Sequence, residues 1–271
     1  MISRREFVLG MGAGSFCAAA LADRRIPVAL QLYSVRNQCK ADLAGTLARV
    51  KEIGFQAVEL AGNYGHSAAE LHKLLDDEGL TCCGAHLGLA QLQEPKYQAT
   101  VDFLHGLRTT KAVVPGLPGS YTQDLTGWRG AGTLFVELSD QLRKDGLELG
   151  YHNHSIEFKA VDGQRPLDVF LRSAPGIFLE LDLGGAGYGG AAPVEVLETY
   201  RRRTRMIHVK DYTAGKPDLM IGTGSMDWAG LLRDAPSSAV EWYVIEHDST
   251  SGPDLSDIAE SYEQFTRLLK S

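Results

Sequence analysis

Short apolar segments alternate along this chain with amphipathic segments of helical periodicity, and this alternation constrains the fold more than any other feature. Short apolar runs that follow a glycine are typical of buried parallel strands. Gly54, Gly79 and Gly146 each follow an amphipathic segment, where a helix end favours a left-handed residue. The pattern therefore predicts repeated strand and helix units with parallel strands. The predicted strands are Val28–Tyr33, Ala57–Leu60, Thr81–His86, Ala112–Pro115, Leu147–His152, Ile177–Asp182, Met206–Lys210 and Trp242–Glu246.

Eight such units within 271 residues predict a closed (β/α)8 TIM barrel of the α/β class. The alternative is an open, doubly wound sheet, which would carry a glycine-rich turn after its first strand. The corresponding turn, Ser34-Val35-Arg36-Asn37, contains no glycine. Because no linker or change in composition interrupts the pattern, the barrel is expected to be a single domain over residues 23–271.

Residues 1–22 have the features of a twin-arginine signal peptide. Arg4 and Arg5 precede a short run rich in glycine and alanine, and Ala20-Leu21-Ala22 offers small residues around a cleavage point. The run is too short for a membrane span, and no later segment is long and apolar enough. The sequence therefore predicts export to the periplasm or another extracytoplasmic compartment, with no stable membrane span after signal removal.

Charge and cysteine content exclude several classes of function. The formal net charge of −7 argues against a nucleic-acid partner, because proteins that bind phosphate backbones carry a basic face. Cys17, Cys39, Cys82 and Cys83 show no spacing typical of a zinc site or a disulfide framework. The cysteines outside the predicted signal are therefore expected to be free thiols.

Ionisable side chains collect at the predicted carboxyl ends of the strands, where TIM barrels carry their active sites. Buried carboxylates and imidazoles are costly unless they are paired or bind a metal. The pattern therefore predicts one divalent cation, with Mn, Mg, Co and Zn all compatible with mixed oxygen and nitrogen ligands. The residues concerned are Gln31, Tyr33, Glu59, His86, His152, His154, Glu157, Glu180, Asp182, His208, Lys210 and Glu246.

The alternation of side chains along a strand predicts which of these residues share a face. His152 and His154 are two positions apart and should both point into the barrel, as should His208 and Lys210. Asp211 should face away and serve as a helix cap or loop residue. The glycine-rich segment 184–190 is expected to form a flexible loop over the site, with Tyr188 as a lid residue.

Four motifs resemble the xylose isomerase-like TIM-barrel superfamily, which includes sugar phosphate isomerases and epimerases. The resemblance covers about residues 26–270 and implies a divalent metal held by carboxylates from strands five, six and eight and a histidine from strand seven. The motifs are Gly150-Tyr151-His152-Asn153-His154-x-x-Glu157-Phe158, Leu181-Asp182, His208-Val209-Lys210-Asp211 and Gly222-x-Gly224-x-x-Asp227-Trp228, with Glu246 on strand eight.

On this chain, Asp182, His208 and Glu246 match the ligand positions that the resemblance implies. Strand five departs from the pattern, because epimerases of the family place a glutamate three residues before the asparagine, where this chain has Gly150. Glu157, reaching back from the loop, is the first replacement considered. His152 or His154 is the alternative.

The function that the resemblance implies is a metal-dependent isomerase or epimerase of a sugar or keto-sugar, acting by proton transfer through a metal-stabilised enediolate. Under this hypothesis one group of residues supplies acids and bases, and Lys210 also contacts substrate oxygens. A second group orients the substrate. The acids and bases are His152, His154, Glu246 and His86, and the orienting residues are Gln31, Tyr33 and Glu59.

Three other functions are compatible with the sequence to different degrees. A lyase or hydratase, such as a dehydratase, acting on a 3-keto-glycoside or keto-polyol would use the same enediolate. A non-catalytic sugar-binding barrel would lack a working metal site. An abasic-site endonuclease of the same fold is disfavoured by the net charge of −7. The partner in the leading hypothesis is a small carbohydrate, and a homo-oligomer is also possible.

Overall fold

The computed structural model describes residues 26–234, 239–248 and 254–270. The predicted signal peptide lies outside these residues. The strands are β1 (Val28–Gln31), β2 (Ala57–Leu60), β3 (Thr81–His86), β4 (Lys111–Val114), β5 (Glu148–His152), β6 (Phe178–Asp182), β7 (Thr204–Val209), β8 (Asp211–Thr213), β9 (Lys216–Leu219) and β10 (Trp242–Ile245). Eight of them are parallel and close into a barrel in which each strand pairs with its neighbours in the order β1-β10-β7-β6-β5-β4-β3-β2. The predicted single TIM barrel is therefore confirmed as the fold.

Helices surround the barrel, and strands β8 and β9 form a short antiparallel hairpin outside it. Two further 3-10 turns lie at Leu89–Leu92 and Ile156–Phe158. Within the described residues, no helix has both the length and the apolar character needed to cross a bilayer. The helices are α1 (Arg36–Ala41), α2 (Leu43–Ile53), α3 (Ala68–Asp77), α4 (Tyr97–Gly106), α5 (Gly119–Thr122), α6 (Leu125–Lys144), α7 (Pro166–Ser173), α8 (Leu183–Tyr188), α9 (Pro193–Tyr200), α10 (Trp228–Asp234) and α11 (Leu255–Leu268).

Local signals at helix ends act as the sequence predicts. Ser67 begins α3 with a capping box, in which the Ser67 hydroxyl accepts from the Glu70 N–H and the Glu70 carboxylate accepts from the Ser67 N–H. Gly54, Gly79 and Gly146 have φ values of 121°, 61° and 73° and lead directly into strands. A residue with a Cβ would be strained in these conformations, so the glycines fix where each helix stops.

The barrel interior is filled below the mouth by a small apolar cluster. Phe178 and Met206 are its largest members, and both are buried. Ion pairs close the floor below the cluster, where Lys111 Nζ lies 2.7 Å from a Glu241 carboxylate oxygen and Arg205 pairs with Glu241. Because packed apolar side chains and these ion pairs fill the barrel below the mouth, polar side chains higher on the strands can reach solvent only through the mouth.

The glycine-rich segment after β6 is a helix, and the prediction of a flexible loop there is wrong. The Asp182 carboxylate accepts from the Gly185 N–H at 2.8 Å and so begins α8. A Cβ on Gly184 would come within 2.7 Å of the Lys210 side chain, and one on Gly187 would overlap the Tyr212 ring. The glycines therefore allow α8 to pack closely against the segment that follows β7. Tyr188 packs edge-on against Tyr212 rather than forming a lid.

Candidate metal centre and active site

A cluster of buried imidazoles and carboxylates lies directly above the apolar interior of the barrel. Strand alternation explains its composition, because every second residue of each strand points inward. On β6, Phe178 belongs to the interior cluster and Glu180, two residues later, belongs to the polar cluster. The same step separates Met206 from His208 on β7. The strands therefore change from apolar to ionisable side chains at one height in the barrel.

Short contacts join the members of this cluster across the barrel. His86 Nε2 lies 2.6 Å from Glu180 Oε2 and 3.2 Å from Glu59 Oε2. His208 Nε2 lies 3.0 Å from Glu59 Oε2 and 3.1 Å from Glu180 Oε2. Gln31 Nε2 donates to Glu59 Oε2 at 2.7 Å. Side chains from β1, β2, β3, β6 and β7 therefore meet at one point.

Four side chains of this cluster could hold a metal ion. His86, His152, Glu180 and His208 each offer one ligand atom, and these atoms all lie within 4.8 Å of one another. Neither ring nitrogen of His152 makes a well-formed hydrogen bond, the nearest carboxylate oxygen to Nδ1 being Glu180 Oε2 at 3.3 Å, and Glu180 Oε1 is also buried without a hydrogen bond. Unsatisfied buried polar atoms are rare and call for a missing partner. A divalent cation fits this set, because imidazoles and carboxylates are its common ligands.

The charges in the cluster set the protonation states. Burial alone would lower the pKa of His86, but Glu59 and Glu180 raise it to about 10. Burial, together with the nearby His208 and His154, holds the pKa of His152 well below its usual value. Burial and the Glu59 charge raise the pKa of Glu180. His152 is therefore a neutral imidazole at pH 7, the form that can bind a metal or accept a proton.

A second group of charges lies at the mouth, centred on Lys210. Lys210 Nζ is 2.7 Å from Glu246 Oε2, 2.6 Å from Asp248 Oδ2 and 3.2 Å from Asp182 Oδ2. Glu246 Oε2 also lies 2.7 Å from His208 Nδ1 and so links the two groups. Burial would lower the pKa of Lys210, but Asp182 and Glu246 raise it well above its usual value. The ammonium therefore stays charged and balances the carboxylates around it.

The structure places the proposed ligand Glu157 outside the cluster. Its carboxylate accepts from the Tyr151 hydroxyl at 2.6 Å and from the His154 N–H at 3.0 Å. Tyr151 points outward from β5 and packs against Phe135 and Phe170, between sheet and helices. Glu157 therefore lies on the outer side of the barrel wall and supports the chain after β5.

Of the other proposed ligands, the structure brings His208 into the group that could hold a metal, while Asp182 and Glu246 contact Lys210. Sequence reasoning did not choose Glu180 as a ligand. The signal was present, because Glu180 is two residues before Asp182 and shares its inward face. The sequence does not show the level of each residue along the barrel axis, and this level decides which of the two residues reaches the cluster.

The cluster borders a cavity of about 900 Å³ at the mouth of the barrel. His86, His152, His154 and Glu246 line it, as does Tyr33, whose surface is 42% exposed. These residues are among those predicted to provide acids, bases or substrate contacts. Gln31 and Glu59 are fully buried beneath the cavity and contact the cluster rather than the open space.

Two buried polar residues hold the backbone around the site. Asn153 extends the pairing of β5 with β6, because its side chain accepts from the Asp182 N–H and donates to the Asp182 carbonyl. The Asp211 carboxylate accepts from the N–H groups of Gly222, Gly224 and Met226 at 2.9–3.1 Å. Asp211 therefore faces away from the cluster, as expected, but it begins strand β8 and is neither a helix cap nor a loop residue.

Gly150 lies where a larger side chain would collide with the interior of the barrel. A Cβ at this position would overlap the Phe178 ring. We therefore expect Gly150→Ala to lower the free energy of unfolding by about 1–3 kcal/mol, measured by urea denaturation. Gly130→Ala is the matched control, because a Cβ there meets open space on α6 and should not destabilise the fold. Equal stability of the Gly150→Ala and Gly130→Ala variants would contradict this packing argument.

Comparisons with known proteins agree with this architecture. The family model of the xylose isomerase-like TIM barrel matches residues 47–268. An inosose dehydratase of Geobacillus kaustophilus (strain HTA426) is 24% identical over 188 residues, which are 61% of this chain and 60% of that protein. The matched region thus spans about three fifths of the length of this relative.

Solved structures share the fold at low sequence identity. A sugar phosphate isomerase/epimerase from Parabacteroides distasonis ATCC 8503 has a TM-score of 0.74 at 23% identity, covering 92% of this chain and 97% of its own. The IolI protein, solved with a zinc atom, has a TM-score of 0.70 at 11% identity, covering 90% of this chain and 98% of its own. At these identities the similarity establishes the shared fold alone.

Proposed function

This chain belongs to the xylose isomerase-like TIM barrel family, and from that membership we propose that it is a metal-dependent enzyme that moves a proton next to the carbonyl of a sugar or keto-sugar. The observation that carries the proposal is the buried cluster at the mouth, where His152 lacks any hydrogen bond and borders the cavity. Proteins similar to this chain are named as a sugar phosphate isomerase/epimerase, an L-ribulose 3-epimerase and an inosose dehydratase.

The cofactor in this proposal is one divalent cation held by His86, His152, Glu180 and His208. When bound, it would supply Lewis acidity, which makes a C–H bond beside a carbonyl more acidic. The apolar interior below the cluster keeps water from reaching these residues from beneath. The cavity above them is the space left for a substrate.

The side chains that would handle the proton follow different strands of the barrel. Glu246 follows β10 and His154 follows β5, and two strands separate β10 from β5 along the barrel. Burial would raise the pKa of Glu246, but Lys210 and His208 hold it well below its usual value, so Glu246 is a carboxylate that can accept a proton. Lys210 keeps this carboxylate ionised and can donate to an oxygen that gains negative charge.

Return of the proton to a different carbon, or to the other face of the same carbon, gives an isomer or an epimer. His154 is the candidate for this second transfer, because it lines the same cavity as Glu246 and comes from a different strand. The presence of two such groups in one cavity favours isomerase or epimerase activity as the first candidate function.

Dehydration is the second candidate, and one feature of β5 favours it. Gly150 cannot carry a side chain without displacing Phe178, so β5 offers imidazoles but no inward carboxylate to pair with Glu246. Elimination can proceed with a single base: the C–H bond breaks, a C=C bond forms and the hydroxyl on the next carbon leaves as water. The similarity to inosose dehydratase supports the same reaction class.

Solvent exchange tests the shared step of both candidates. We expect the metal-loaded enzyme in D₂O to incorporate deuterium beside the carbonyl of its keto-sugar substrate, detected by NMR across a panel of keto-sugars and inososes. Glu246→Gln should slow exchange at least about 100-fold, the range typical of a lost general base. Glu157→Gln, a matched change outside the cavity, should leave the rate unchanged. An isomeric product identifies the first candidate and a dehydrated product the second.

If no substrate shows exchange and the chain binds metal weakly or not at all, the enzyme hypothesis would give way to a non-catalytic sugar-binding barrel.

Export is a separate proposal that rests on Arg4, Arg5 and the alanine-rich segment that follows. Fusion of residues 1–22 to a reporter tests it, because Arg4→Lys together with Arg5→Lys should block transport.

A further inference from the structure

The cavity at the mouth extends well beyond the charged cluster. At about 900 Å³ it lies near the top of the range, roughly 300–1,000 Å³, of sites that enclose drug-sized ligands. One end borders His152 and Glu246, and the other reaches Phe103 on helix α4, outside the ring of strands. A single sugar ring is much smaller than a drug-sized ligand, so a ring at the cluster would leave the far end empty.

The far end forms an outer compartment with a distinct lining. We define it by Asn63 after β2, Leu87 after β3, and Lys96, Ala99 and Phe103 on or beside α4. Leu87, Ala99 and Phe103 supply apolar surface. Lys96 and Asn63 supply an ammonium and an amide. This mixture of an apolar wall and a few polar groups is typical of small-molecule sites.

Hydrogen bonds fix the wall of the outer compartment in place. The Gly88 N–H donates to Gln91 Oε1 at 2.8 Å, and the Thr100 hydroxyl donates to the Gln91 carbonyl at 2.7 Å. The segment between β3 and α4 is therefore tied to itself and to α4. A compartment that is already formed costs little ordering when a ligand binds.

We propose that the outer compartment binds a second ring of the substrate, so that the substrate is a keto-sugar joined by a glycosidic bond to another sugar. A sugar ring has an apolar C–H face that can pack on Phe103 and hydroxyl groups that can accept from Lys96 Nζ and donate to Asn63. The position of the first ring rests on the proposed function, which places the reacting carbonyl at the cluster.

Binding measurements on the metal-loaded full chain test this proposal without requiring catalysis. The probes are α- and β-linked glucose disaccharides, with the methyl α- and β-glucosides as single-ring references, titrated by calorimetry. We expect at least one disaccharide to bind about tenfold more tightly than the methyl glucosides, since a second ring buries additional surface. Ala99→Trp should fill the outer compartment and abolish this difference. Gln98→Trp is the matched control, because Gln98 is an exposed neighbour on α4 outside the lining.

The outcomes separate the outer compartment from the reaction. Disaccharide preference that disappears in Ala99→Trp but persists in Gln98→Trp supports the compartment. Equal affinity for one-ring and two-ring sugars, or a preference that survives Ala99→Trp, overturns it, even if keto-sugars exchange deuterium normally. Conversely, a clear preference in a chain that exchanges no substrate proton would refute the proposed reaction and retain the compartment.

Discussion

His152→Ala and Glu180→Gln are each expected to lower the affinity for a divalent metal by more than about 100-fold, because even residues that only support ligands typically contribute 10–100-fold. Both side chains are buried in the four-residue group that could hold an ion. Both ring nitrogens of His152 lack a hydrogen bond, so a bound metal is the partner that this side chain would have. Metal content after dialysis and direct titration with Zn²⁺ and Mn²⁺ measure the effect.

Glu157→Gln is the matched control for Glu180→Gln, because both changes convert a buried glutamate into an amide. Glu157 is bound to Tyr151 and to the His154 N–H on the outer side of the wall, so its replacement should leave metal affinity unchanged. The opposite pattern, with metal lost from Glu157→Gln and kept by Glu180→Gln, would contradict the ligand set of His86, His152, Glu180 and His208. It would restore the ligand that the sequence pattern favoured.

Lys210→Met is expected to lower the free energy of unfolding by about 3–5 kcal/mol, the usual result of removing one partner from a buried charge network. Lys210 is 2% exposed, and its ammonium contacts Asp182, Glu246 and Asp248. Methionine fills a similar volume without a charge, so these carboxylates would repel one another at the mouth. Urea denaturation of the metal-free chain at pH 7 measures the effect.

Lys73→Met provides the comparison for this stability measurement. Lys73 pairs with Asp77 four residues later on α3, and its side chain is 74% exposed. An exposed pair of this kind contributes at most about 1 kcal/mol. Similar losses for Lys73→Met and Lys210→Met would show that burial adds nothing to the Lys210 network. Such a result would remove the argument that Lys210 holds Glu246 ionised.

The sequence predicts the barrel well because its signals are local. Each of the eight barrel strands begins and ends within two residues of its predicted bounds. The reason is visible at Gly54, Gly79 and Gly146, where a positive φ stops a helix and an apolar run follows. The signals fail at residues 184–190, where glycine serves close packing against Lys210 and Tyr212 rather than flexibility. Sequence alone does not distinguish these two uses of glycine.

The site is harder to predict because it depends on the level of each side chain along the barrel axis and on whether that side chain faces into or out of the barrel. Alternation correctly places His152 and His208 on the inward face, but it treats Glu180 and Asp182 as equivalent. The structure places them at different levels along the barrel axis. Glu180 belongs to the cluster, and Asp182 begins α8. Glu157 follows β5 in a turn, where the alternation of a strand no longer applies. Its carboxylate accepts from the outward-facing Tyr151 hydroxyl and therefore lies on the outer side of the barrel wall.

The Asp211 carboxylate fixes the chain segment that follows strands β8 and β9. By holding three backbone N–H groups of the 222–226 segment, it makes this segment part of the rigid wall. Within the described chain, the side chains that line the cavity come from residues 33–154 and from Glu246 and Asp248. The loops after β1 to β4 supply most of this lining. Those loops can vary in sequence and change the choice of ligand while the charged cluster stays the same.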